Sequence, residues 1–231
     1  MPDEKPRPNM TGAISEDLQM LIDWLGDAEN SIPETTYREN AIEDYKFYAG
    51  DQDTDAVKEA LEQAGRPTSV YNEVKPKIDM MVGMAAESRK MPEVLPVGAE
   101  DEPLAELING TVVHYHKKLN VSRLELDCFE HTCKSGRSLL YFYVDKSNPY
   151  KPVLKARRYP GTSFYLDPNS QEYDMSDARY LFLENWITED DFRILFPNAD
   201  PEIIKEGDSG YYTGDKATFF NAERERYRLL E

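Results

Sequence analysis

At 231 residues, with 40% hydrophobic and 11% aromatic side chains, the chain has apolar material for one large domain or two small ones, and too much for overall disorder. Its 44 acidic against 27 basic residues give a formal net charge of -17, which repels polyphosphates and argues against tight, sequence-nonspecific DNA binding. No run of about 18 apolar residues occurs, so no helix is expected to span a membrane.

Residues 1–14 are Pro-rich, lack the charged-then-apolar layout of a signal peptide, and read as a flexible arm. Ser15 is placed to cap a helix with Leu18, Leu21, Ile22 and Leu25 at helical spacing and Gly26 near its end. A second helix is predicted from Pro33 to Tyr48, with Tyr37, Tyr45 and Tyr48 on one face and Gly50 as its stop; a third covers Asp55 to Ala64. Asn72 can cap the next helix, residues 73–89, in which Pro76 falls in the first turn. Its apolar stripe is Val74, Ile78, Met81, Val82 and Ala85, and Gly83 in its middle is expected to allow close backbone approach. Pro92 ends it, and Glu93 to Val97 reads as a short strand.

Further helices are predicted for Leu104 to Leu119 and for Arg123 to Lys134, the latter opened by a Ser122/Glu125 capping box and closed by Gly136. The period then changes: residues 137–145 and 151–159 alternate around a turn and predict a hairpin. Strand-like runs at 162–166 and 178–187 bracket a polar loop, Thr188 caps a short helix, and Asp200 with Pro201 begins another. The end of the chain alternates again as the start of a strand that continues beyond Glu231. The predicted class is therefore α+β, helices first and then a small antiparallel sheet with short helices. A helical subdomain is expected over 15–135 and a β subdomain over 136–231.

Tests for chemistry find little. Cys128 and Cys133 diverge on a helix, as do His114 and His116, which leaves only Cys128 and His131 able to meet; a reduced intracellular protein is expected, with no metal and no cofactor. Carboxylate pairs are abundant enough to arise by chance, and there is no nucleophile elbow, P-loop or dinucleotide fingerprint. The chain is read as a non-enzyme without catalytic residues. Basic residues group at Lys155, Arg157 and Arg158, and at Arg224, Arg226 and Arg228, whose alternation puts the last three on one face of a strand, as a subunit contact or as edge protection.

Four stretches occur in the order and spacing of a known family: residues 44–52, ending in Gly50, Asp51 and Gln52; residues 66–98, with Pro67, Asn72, Pro76 and Gly83; residues 136–145; and residues 164–197, with Asp167, Pro168, Ser170, Asp177, Ala178 and Arg179. Together they resemble the portal proteins of tailed bacteriophages, those of short-tailed phages most of all. Asp53 stands where these portals often carry tryptophan, and such portals continue well past 231 residues, into a stem and clip.

The resemblance implies the N-terminal, wing-like part of a homo-oligomeric, commonly dodecameric, ring at one capsid vertex of the virion, assembled in the host cytoplasm. It implies as partners terminase, the major capsid or scaffolding protein and tail or head-completion proteins, with double-stranded DNA passing through untethered and no membrane involved. Met80, Met81 and Met84 are then candidate subunit contacts beside Arg224, Arg226 and Arg228. The rival readings are an acidic interaction module, such as a DNA mimic or adaptor, and a carboxylate-based hydrolase.

Overall fold

A computed structural model describes residues 16–231 except 68, 89–90, 147, 149, 173, 206–218 and 222–223. The expected arm and the Ser15 cap lie outside the described residues. The chain is α+β, as expected, and divides into two compact units: residues up to 35 with 165–231, and residues 36–164. This grouping differs from a boundary at 135/136, because the hairpin that follows the helices packs on them.

In the unit formed by 36–164, helix α2 (Ile32–Ala49, shared with the other unit) is followed by α3 (Asp55–Gln63), α4 (Val74–Glu87), a 3-10 turn at Ala99–Asp101, α5 (Glu102–Lys118) and α6 (Val121–Ser135). Strands β1 (Ser138–Asp145) and β2 (Val153–Pro160) then pair antiparallel from Ser138↔Pro160 to Asp145↔Val153, as the alternation predicts. A two-stranded ribbon is marginal alone, and this one is seated on α6: the Ser138 hydroxyl donates to the Cys128 carbonyl at 2.8 Å. Below it the Arg137 guanidinium donates to the Gly161 carbonyl at 2.9 and 3.1 Å and lies over the Tyr37 ring at 3.7 Å. A Cβ at Gly161 would fall 1.9 Å from the Tyr37 hydroxyl and 2.7 Å from the Arg137 carbonyl oxygen, so only glycine fits this approach.

Helix α2 meets α6 through its tyrosines. Tyr37 donates to the Ser135 hydroxyl at 3.4 Å, Tyr45 lies 2.7 Å from His131 Nδ1, and Lys134 stands 3.7 Å above the Tyr48 ring. On its other side His131 Nε2 lies 2.6 Å from the Arg158 guanidinium, which can only donate. The imidazole is therefore neutral, with its proton on Nδ1 toward Tyr45. Burial first, and then the positive charges of Arg158 and Lys134, push its pKa down.

The other unit packs α1 (Glu16–Asn30) with β3 (Phe164–Leu166), β4 (Leu181–Ile187), α7 (Glu189–Leu195), α8 (Pro201–Lys205), β5 (Phe220–Asn221) and β6 (Arg226–Leu230). Its sheet runs β3-β4-β6-β5, with β4 and β6 antiparallel from Glu184↔Leu230 to Ile187↔Tyr227. The core gathers Ala28, Tyr165 and Tyr180, with Trp24 stacked on Tyr180 at 5.2 Å. Tyr227, fully buried, stacks on Phe192 at 4.9 Å and meets Phe220 at 5.0 Å.

Three local expectations are corrected. Helix α1 continues past Gly26 to Asn30, because Leu25 and Ala28 are buried on either side of the glycine and packing outweighs its propensity cost of about 1 kcal/mol. Helix α6 begins at Val121, not after a Ser122 cap: Asn120 takes a left-handed turn at φ 52°, Val121 is buried, and Glu125 stands 3.9 Å from His116. Residues 93–97 form no strand, since the Asn109 side-chain amide on α5 holds both the N–H and the carbonyl of Val94, at 2.7 and 2.8 Å. The Thr188 cap does form, with its hydroxyl accepting from the Asp191 N–H and donating to its carboxylate.

Candidate functional site: two motif clusters and an exposed helix face

The first cluster joins the end of α2 to the start of α4. Gly50 takes φ 91°, which lets the chain turn out of α2, and the N–H groups of Gly50 and Asp51 return to the carbonyls of Phe47 and Lys46 at 3.1 and 2.9 Å. That pairing closes the helix as a Schellman motif. Asn72 then serves both helices. Its Oδ1 accepts from the N–H groups of Val74 and Lys75, each at 3.1 Å, while its Nδ2 donates to the Tyr48 carbonyl at 2.9 Å. Gln52 donates to the Phe47 carbonyl at 3.2 Å and to Asn72 at 3.4 Å, and Asp51 pairs with Lys58 of α3 at 2.5 Å. One asparagine thus satisfies two orphan donors of one helix and an orphan acceptor of another.

Tyr48, which the sequence offered only as an aromatic face residue, is the second hinge of this cluster. Its hydroxyl donates to Asp79 at 2.7 Å and accepts from Lys75 at 2.9 Å. The hydrogen bond from Tyr48 holds the Asp79 carboxyl below its ordinary pKa, and the bond to Tyr48 raises that of the Lys75 ammonium. Pro76 occupies the first turn of α4, where its missing N–H costs nothing, and Pro67 is exposed between α3 and α4.

The second cluster is the loop from Asp167 to Arg179. Pro168 follows Asp167 in a turn closed by the Ser170 N–H on the Asp167 carbonyl at 3.2 Å. The Asp167 side chain is 1% exposed and accepts from the Arg179 guanidinium at 2.9 and 3.3 Å, from the Arg179 N–H at 3.2 Å and from the Asn169 N–H at 3.0 Å. The bond from Arg179 is the largest cause of a carboxyl pKa held far below the ordinary range. Asp177 binds the other arm of the loop: it accepts from the Ser170 hydroxyl at 2.5 Å and from the Gln171 N–H at 2.7 Å. Ala178, half-buried, turns back on Met175 through its N–H. The two acids hold the loop closed on itself.

The methionines of α4 face outward. Ile78, Val82 and Ala85 are half-buried, whereas Met80 and Met84 are 61% and 62% exposed and Val74 and Met81 are also exposed, which corrects the expected stripe. A Cβ on Gly83 would meet nothing within 4 Å among the described residues, so the close approach expected there does not occur among them.

The three terminal arginines do not form one exposed row. Arg224 lies in the turn before β6 and Arg226 is exposed. Arg228 is buried among Glu29 at 2.5 Å, the Tyr165 hydroxyl at 2.6 Å and Glu184 at 3.5 Å, which removes it from the candidate contacts.

Cys128 and His131 are drawn apart, the thiol toward the Leu139 carbonyl and the imidazole toward Tyr45 and Arg158. Both cysteines are free, with thiol pKa values raised by burial. Among the described residues no group of three or more His, Cys, Asp or Glu side chains could hold a metal, and no helix is long and apolar enough to cross a membrane. The arrangement is that of built joints and open surfaces. Compared with known proteins, residues 27–231 match the family model described as phage P22-like portal protein. No curated protein matches the chain.

Proposed function

The chain belongs to the phage P22-like portal protein family, a structural family of the phage head, and from that membership we propose that it is a subunit of a dodecameric ring at one capsid vertex. In this reading the ring admits and releases double-stranded DNA without tight binding. Terminase, the major capsid or scaffolding protein and tail or head-completion proteins dock on it, and it assembles in the host cytoplasm before entering the virion. The observation that carries the reading is the match over 27–231, which contains both motif clusters.

The charge supports it. A conduit works best when its walls do not capture the cargo, and a net charge of -17 per chain supplies that repulsion. The outward methionines Met80, Met81 and Met84, together with Arg224 and Arg226, are proposed as subunit contacts, because an exposed apolar row on a helix is best covered by a neighbouring copy. The helical stretch 15–135 and the strand-rich stretch 136–231 are proposed as parts of a wing, with stem and clip supplied by further chain.

Deleting the gene from its phage is expected to leave heads that assemble without DNA, and supplying the protein in trans should restore filled heads. DNA-filled heads in the deletion strain would overturn the proposal.

A further inference from the structure

We infer that the basic β1–β2 hairpin of one copy docks on the α5 face of a second copy, a contact that deepens the ring reading and rests on it. In a chain of formal charge -17, residues 137–160 carry Arg137, Lys146, Lys151, Lys155, Arg157 and Arg158 against a single acid, Asp145. Arg158 is engaged with Asp127 on α6, and Lys155 with Asp145. Among the described residues, Lys146, Lys151 and Arg157 have no carboxylate within ion-pair distance. The pairing Tyr141↔Arg157 and Tyr143↔Lys155 places two tyrosines, stacked at 5.6 Å, beside these cations on the face opposite Arg158. In the turn between the strands Tyr150 is 98% exposed.

The complementary surface is in the same unit. From 91 to 116 there is no lysine or arginine, while Glu93, Glu100, Asp101, Glu102 and Glu106 are all exposed and none pairs with a cation among the described residues. Exposed apolar side chains lie among them, Val97 at 100% and Leu107 at 68%. Along α5 a groove of about 580 Å³ opens between Pro103, Leu107, Gly110 and Tyr115. Its size and its mixed lining, in which Glu106, Thr111 and His114 stand among the apolar groups, suit an aromatic side chain with a hydroxyl such as Tyr150.

Charge complementarity selects the occupant. DNA could answer the cationic hairpin but leaves the acidic, apolar α5 face uncovered, whereas a second copy covers both. Each copy carries one of each surface, so the contact is heterologous and propagates around a ring.

The test is assembly of the complete gene product, followed by sedimentation velocity and electron microscopy. Lys151→Glu with Arg157→Glu, or Glu100→Lys with Glu106→Lys, should each weaken assembly at least about tenfold. Mixing the two variants in equal amounts should restore it, because each reversed surface then meets an opposite one. All four positions are exposed, and unchanged far-UV dichroism reports that the variants fold. Full assembly by either variant alone, or loss that mixing does not repair, overturns the contact and leaves the portal reading standing. So does ring formation with hairpin charges needed only to hold a labelled DNA duplex. Absence of rings from the unmodified protein removes both readings.

Discussion

Arg228→Met is expected to destabilise the chain by about 3–5 kcal/mol, because it strips a buried cation from two carboxylates that it pairs with. The Arg228 side chain is 5% exposed, and its partners Glu29 and Glu184 are 7% and 11% exposed. Methionine fills the volume but offers no donor, so Glu29, Glu184 and the Tyr165 hydroxyl lose their shared partner. The penalty comes from stranded charge rather than from a cavity. Adding Glu29→Gln and Glu184→Gln to the same variant should therefore recover part of the loss. Urea unfolding of the three proteins measures this, and a change below about 1 kcal/mol for Arg228→Met would show that the cluster is solvated.

Asp167→Ala should cost about 2–3 kcal/mol, less than Arg228 because Arg179 keeps access to water, but still large because two backbone N–H groups lose their acceptor. It also has a pH signature. The folded carboxyl titrates well below the ordinary Asp value of 3.8, so the unfolded state takes up its proton first as the pH falls. Its contribution is complete above about pH 4 and declines only below that. Unfolding curves of the parent and Asp167→Ala should accordingly run parallel from neutral pH to about 4 and converge in stronger acid. Convergence between pH 7 and 5 would contradict the assignment.

The sequence disclosed the fold wherever one signal acted alone. Gly50 and Gly136 stop their helices, and the alternation at 137–160 gives the hairpin in register. Signals failed where a distant partner overrode a local one. The Ser122/Glu125 capping box was sound by spacing, yet the burial of Val121 moved the helix start ahead of it. Likewise the run at 93–97 alternates as a strand does, but the partner for its backbone is the Asn109 side chain and not another strand.

The motif residues were legible as a pattern before their chemistry was. Spacing could not show that Asn72 reaches the Tyr48 carbonyl beside Gly50, nor that Asp167 and Arg179 pair, since the sequence leaves open the path of the chain between the partners. Arg228 was misplaced for the opposite reason. Period two put it in a row with Arg226, but only the fold, which brings Glu29 and Glu184 to its guanidinium, shows that the row is buried at Arg228 and exposed at Arg226.

The most direct test of the central claim is negative-stain electron microscopy of the complete gene product, purified in moderate salt. The portal reading predicts closed rings with a central hole and dodecameric class averages. A monodisperse monomer at every protein and salt concentration would contradict it.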